Sequence, residues 1–127
     1  LTQSVMRWPE PDQVMRQVRA WTGVQAARVP SLEKVAVFGS YGRGTAGVGS
    51  DLDLLLIDAH ASGPQHERLL RWPLELLPLS CDALVLTPSE HEELMAAGSR
   101  FATELRSDAR WVWSRPLTHP ADPGEGG

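Results

Sequence analysis

Residues 38–58 end one apolar run in a Gly-Ser turn, pass through a glycine-rich stretch, and open a second apolar run with two aspartates: Phe-Gly-Ser-Tyr-Gly-Arg-Gly-Thr-Ala-Gly-Val-Gly-Ser-Asp-Leu-Asp-Leu-Leu-Leu-Ile-Asp. Side chains on a strand alternate faces, so Asp51 and Asp53 project from the same side. Their Cα atoms stand ~6.6 Å apart along an extended chain. Two carboxylates that close, on one face of an apolar strand, repel each other and lose hydration, and a cation offsets both penalties. A Ser50-Asp51 pair alone suits a loop cap, but Asp53 inside an apolar strand has no ordinary structural role.

The elements around this stretch alternate. Val14, Val18 and Trp21 recur at helical spacing, with Met15 beside them, and predict a helix over about 12–27 in which Asp12 can act as cap. Pro9 and Pro11 leave residues 1–11 irregular. Residues 33–38 read as a strand, residues 40–45 as a short helix, and residues 51–57 as a second strand that is apolar on both faces and therefore central. Leu69, Leu70, Trp72, Leu74, Leu76 and Leu77 suggest a helix over about 65–77, strained by Pro73. Cys81–Leu86 is a third strand with Asp82, Leu84 and Leu86 on one face. Thr87-Pro88-Ser89-Glu90 is a capping box for a helix that ends at Gly98. A short helix over about 100–107 and a strand over 111–113 close the series. The expected fold is α/β (α+β), a small mixed sheet flanked by helices, in one domain over residues 1–115 with a flexible tail over 116–127.

The combination Gly39-Ser40, ten residues, then Asp51-Leu52-Asp53 resembles the nucleotidyltransferase superfamily that includes DNA polymerase β. The segment Gly-Ser-Tyr-Gly-Arg-Gly-Thr-Ala is similar to the stand-alone minimal nucleotidyltransferases, the MNT family, over about residues 33–115. That family carries a third carboxylate at the start of a later strand, and Asp82 matches it. The resemblance implies Asp51, Asp53 and Asp82 as catalytic, metal-holding residues, with two magnesium ions clamping the attacking and leaving oxygens. Gly39, Ser40 and Arg43 would hold the triphosphate of ATP, glycine letting backbone approach the ligand and Arg43 pairing with phosphate. A salt bridge bracing the loop is the alternative role for Arg43. Tyr41 and Gly42 depart from the Arg-Ala pair frequent at these positions.

The chain is too short to carry the second helical domain that positions acceptors in larger relatives, and its net charge of −4 argues against broad nucleic-acid or membrane binding. The resemblance therefore implies an antitoxin that transfers AMP to a hydroxyl, a tyrosine, of a small helical HEPN-domain toxin. A non-catalytic antitoxin acting by binding alone, or an antibiotic-type nucleotidyltransferase, are the alternatives. The single Cys81 fits a reducing cytoplasm and reads as a small core residue, and the first residues show no signal-peptide pattern. The four histidines show no metal-ligand spacing, and His91 reads as solvated. Trp111 and Trp113 alternate on a strand, share one face, and are read as core, with a partner surface as the alternative.

Overall fold

Helix α1 (Pro11–Arg28) begins on a proline at its first position, where the missing N–H costs nothing. The protein is described by a computed structural model covering residues 8–117. The cap position falls on Glu10, which makes no side-chain cap bond, so Asp12 is not the cap; it lies in the first turn, favourably placed against the helix dipole. Val14, Met15, Val18 and Trp21 are buried as their spacing predicts.

The other elements are β1 (Leu32–Phe38), α2 (Gly39–Arg43), β2 (Leu52–Asp58), α3 (Gln65–Leu69), β3 (Cys81–Leu86), α4 (Pro88–Ala96), α5 (Arg100–Asp108) and β4 (Arg110–Ser114). The four strands form one sheet in the order β3-β2-β1-β4. β1 runs antiparallel to β2 and β4, and β2 runs parallel to β3, so the sheet is mixed as expected. Alternation along β2 sorts its side chains into two core layers. Leu52, Leu54 and Leu56 join Val35, Val37 and α1 on one face, while Leu55 and Ile57 join Ala36 and Leu105 on the other. Asp53 belongs by alternation to the second face. Among the described residues no helix is long and apolar enough to cross a membrane.

Three local expectations are overturned. The helix expected over 65–77 stops at Leu69, and a single 3-10 turn follows at Leu74–Leu76. Pro73 has no N–H to continue a helix and pushes the residue before it out of the α region. The break is fixed by packing: Trp72 is buried beside Trp21, whose indole N–H donates to the Pro73 carbonyl at 3.0 Å. Trp111 and Trp113 do not share a face. The β1–β4 register slips so that Val35 pairs with Trp113 and the adjacent Ala36 with Trp111, and a bulge of this kind re-aims one side chain. Trp113 packs on the α1 side under the Arg115 guanidinium at 5.0 Å, while Trp111 lies 43% exposed. His91 is not solvated: it stands half-buried edge-on to Trp111, 5.7 Å between ring centres, and burial, then Lys34, lowers its pKa. The expected flexible tail falls almost wholly outside the described residues.

The capping box of α4 is complete. Thr87 Oγ1 accepts from the Glu90 N–H at 3.1 Å, and Glu90 Oε1 accepts from the Thr87 N–H at 2.9 Å. The same carboxylate accepts two bonds from the nearly buried Arg68, at 2.7 and 3.0 Å, and these bonds, followed by those from Thr87, pull its pKa down to about 2. Glu90→Gln is expected to destabilise the protein by about 1 kcal/mol at pH 7, the scale of one lost cap and one partly exposed ion pair. A depressed carboxyl stabilises above its unfolded pKa, so in thermal melts the gap between wild type and variant should narrow as pH falls from 4.5 towards about 2.

Candidate active site

The site is built where β1 ends. Gly39 leaves the strand at φ +65°, and a Cβ there would collide with Oδ2 of Asp53. Backbone and carboxylate therefore meet at a distance only glycine allows. Ser40 and Arg43 follow on the five-residue α2, which ends on Gly44 in the left-handed region with its N–H bonded to the Ser40 carbonyl. Residues 44–50 form a loop whose last turn is closed by Ser50, its hydroxyl accepting from the Gly47 N–H at 3.0 Å. Asp51 sits exposed at the mouth of β2.

Asp53 lies opposite Phe38 on one side and opposite Asp82 on the other. The parallel β2–β3 register thus brings the three aspartates to one end of two neighbouring strands, with strand axes about 4.8 Å apart. Burial most of all, then the charges of Asp82 and Asp51, push the Asp53 carboxyl above its ordinary range, and the Arg43 guanidinium pulls it partly back. This is an excess of negative charge around hard oxygen donors, the chemistry that suits magnesium completed by waters and phosphate oxygens. Among the described residues no group of three or more histidine, cysteine or acidic side chains is gathered so that it could hold a metal ion, so waters and phosphate oxygens would have to complete any magnesium site on these aspartates. Cys81, next to Asp82, has its thiol pushed up to about 12 by burial and then by Asp53 and Asp82, which opposes the thiolate form that a nucleophile needs.

Arg43 makes an ion pair with Asp108, Nη1 to Oδ2 at 2.9 Å. The bracing role weighed from the sequence is thus present, and half of the Arg43 side chain remains exposed. The two departures at 41 and 42 have structural causes. Tyr41 is buried in the α1-side core. At Gly42 a Cβ would strike the Asp108 carbonyl and come within 2.7 Å of the Val37 carbonyl, so glycine lets the end of α5 close onto α2. Asp108 is the member of this arrangement that sequence reasoning missed. It lies 65 residues from Arg43, and no spacing rule links them. The apolar groove of about 360 Å³ between α1 and residues 76–78 is lined by none of the three aspartates.

A family model described as the nucleotidyltransferase domain matches residues 25–111. The chain belongs to that family. Among solved structures, this nucleotidyltransferase domain resembles a protein from Sulfolobus solfataricus provisionally described as a nucleotidyltransferase. That match has 21% identity, covers 83% of this chain and 84% of the other, and gives a TM-score of 0.62. A toxin–antitoxin structure with AMP-PNP aligns at 18% identity, covering 76% of this chain and 73% of that one, with a TM-score of 0.53. At these identities the likeness is one of fold, and it matches the mixed sheet with flanking helices. No curated protein matches this nucleotidyltransferase domain by sequence.

Proposed function

We propose that this nucleotidyltransferase transfers AMP from ATP to a hydroxyl, a tyrosine, of a small helical HEPN-domain toxin, and so acts as its antitoxin. The observation that carries the reading is the meeting of Asp51, Asp53 and Asp82 at one end of β2 and β3, beside the glycine whose backbone touches Asp53. The likeness in fold to a toxin–antitoxin structure with AMP-PNP supports the choice of partner and nucleotide.

Asp51 and Asp53 would hold magnesium, with Asp82 completing the set from β3. Magnesium, when bound, supplies Lewis-acid polarisation of the phosphate oxygens and lowers the pKa of the attacking hydroxyl. Asp82, on the edge strand, accepts the proton of the acceptor hydroxyl. The hydroxyl oxygen forms a bond to the α-phosphorus as the bond to the β-phosphate oxygen breaks, leaving an AMP ester and pyrophosphate. Gly39, Ser40 and Arg43 orient the triphosphate for that in-line displacement.

The test is incubation with labelled ATP, magnesium and a small helical HEPN-domain protein encoded in the same operon. Label on that protein, lost when its acceptor tyrosine becomes phenylalanine, is the expected result. Silencing of the partner with no label transferred would replace this reading with inhibition by binding. A second measurement addresses the metal. Magnesium with ATP should raise the melting temperature of wild type by several degrees and that of Asp51→Asn by much less, since only a ligand bound to the folded state stabilises it. Equal shifts would remove Asp51 from the site.

A further inference from the structure

We propose that Asp108, at the C-terminal end of α5, is a positioning residue that sets the Arg43 guanidinium for the triphosphate. The inference rests on the reading above that Arg43 contacts phosphate. Asp108 engages one guanidinium nitrogen, Nη1, at 2.9 Å, and among the described residues the Arg43 guanidinium donates no other hydrogen bond within the protein. Nε and Nη2 are therefore left for a ligand. The two side chains differ in exposure in the sense the role requires: Asp108 is 11% exposed and anchored, Arg43 is 49% exposed and available.

The anchor is rigid because Asp108 is held by backbone as well as by side chain. Its carbonyl lies against Gly42, in a gap that admits no Cβ. Its position at the end of a nine-residue helix adds the negative pole of the helix dipole to the field that holds Arg43. An arginine on a five-residue helix followed by a glycine-rich loop would otherwise sample many rotamers. Gly42 and Asp108 together make α5 the support for a residue of α2.

Charge and orientation make opposite forecasts, which makes the idea testable. Asp108 is an anion close to a site for anions. If it acted only through its charge, removing it would tighten phosphate binding. If it orients Arg43, removing it weakens binding. The experiment is a calorimetric titration of the folded protein with magnesium tripolyphosphate and, separately, magnesium ATP, on wild type, Arg43→Ala, Asp108→Ala, the double variant and Asp108→Asn. Asp108→Ala should bind tripolyphosphate about tenfold more weakly, the worth of one well-oriented charge-assisted contact. The double variant should bind no more weakly than Arg43→Ala, because Asp108 acts through Arg43. Asp108→Asn keeps an acceptor oxygen in place and should stay within about threefold of wild type.

Unchanged or tighter binding in Asp108→Ala overturns the proposal, as does a double variant whose losses simply add. Should Asp108→Ala fail to fold, Asp108→Ser, too short to reach the guanidinium, carries the same decision alone and combined with Arg43→Ala: weaker binding alone with no further loss in the Arg43→Ala background supports the proposal, and unchanged or tighter binding overturns it. Wild-type binding by Arg43→Ala would overturn the positioning role while leaving the carboxylate chemistry intact. Absence of any magnesium ATP binding by wild type would overturn the enzymatic reading and this one with it.

Discussion

Asp53→Asn is expected to reduce label transfer from ATP by about 100-fold or more, the scale of losing one preorganised electrostatic partner of a transition state. It should not destabilise the metal-free protein. Asp53 is partly buried and faces the charges of Asp82 and Asp51, and both effects raise its pKa above the ordinary 3.8. A carboxyl raised in the folded state contributes stability below its unfolded pKa and loses that contribution as pH rises through the folded value. Metal-free wild type should therefore lose stability as pH climbs from 3.8 through that higher value, and Asp53→Asn should not. At neutral pH the variant should melt at the same temperature as wild type or above it. Transfer at the wild-type rate by Asp53→Asn would remove Asp53 from the chemistry. A variant that melts well below wild type in the absence of metal would show that the carboxylate is structural.

Gly39→Ala carries the second large effect. The substitution meets two obstacles, a φ of +65° and Oδ2 of Asp53 in the space the methyl needs. The backbone conformation alone costs about 1–2 kcal/mol for a residue with a Cβ, which corresponds to a fall of roughly 4–10 °C in a domain near this size. The steric term acts on the proposed reaction, because relief requires the Asp53 carboxylate to move. A displacement near 1 Å at a reacting centre lowers rate about 100-fold. Gly44 also has positive φ, but its Cβ would meet nothing within 4 Å. Gly44→Ala should thus share the loss of stability and keep the activity. Equal activity losses in the two variants would mean that the turn, and not its contact with Asp53, is what matters.

The outline of the fold was open to reading because β2 announces itself. Leu52, Leu54 and Leu56 on one face with Leu55 and Ile57 on the other can only be a strand covered twice, and the two core layers follow. The aspartates were visible for the same reason: period-two alternation puts Asp51 and Asp53 on one side, and Asp82 opens the next apolar strand. Misreadings arose where a single residue changes the local rule. A bulge in the β1–β4 pairing separates Trp111 from Trp113, and nothing in Arg-Trp-Val-Trp-Ser marks it. Pro73 and the indole of Trp72 end a helix that the leucines alone would extend. His91 reads as solvated because it lies with Glu92 on the first turns of a helix, while its partial burial depends on an aromatic ring from a strand. The Arg43–Asp108 pair belongs to the same class, a contact made by tertiary folding between segments with no shared pattern.

The strand order also dictates when this sheet can be completed during synthesis. β1 is interior, flanked by β2 and by β4, yet β4 is the last element made among the described residues. Until Arg110–Ser114 have left the ribosome, one side of Val35–Val37 presents unpaired amide and carbonyl groups with apolar side chains on both faces. Such an edge recruits other strands. Arg115 then fastens the late arrival, donating to the carbonyls of Leu32 at 2.9 Å and Ala26 at 2.8 Å. A chain cut short before residue 110 would keep all three aspartates and would emerge with a sticky central strand, prone to aggregate before it could meet any partner.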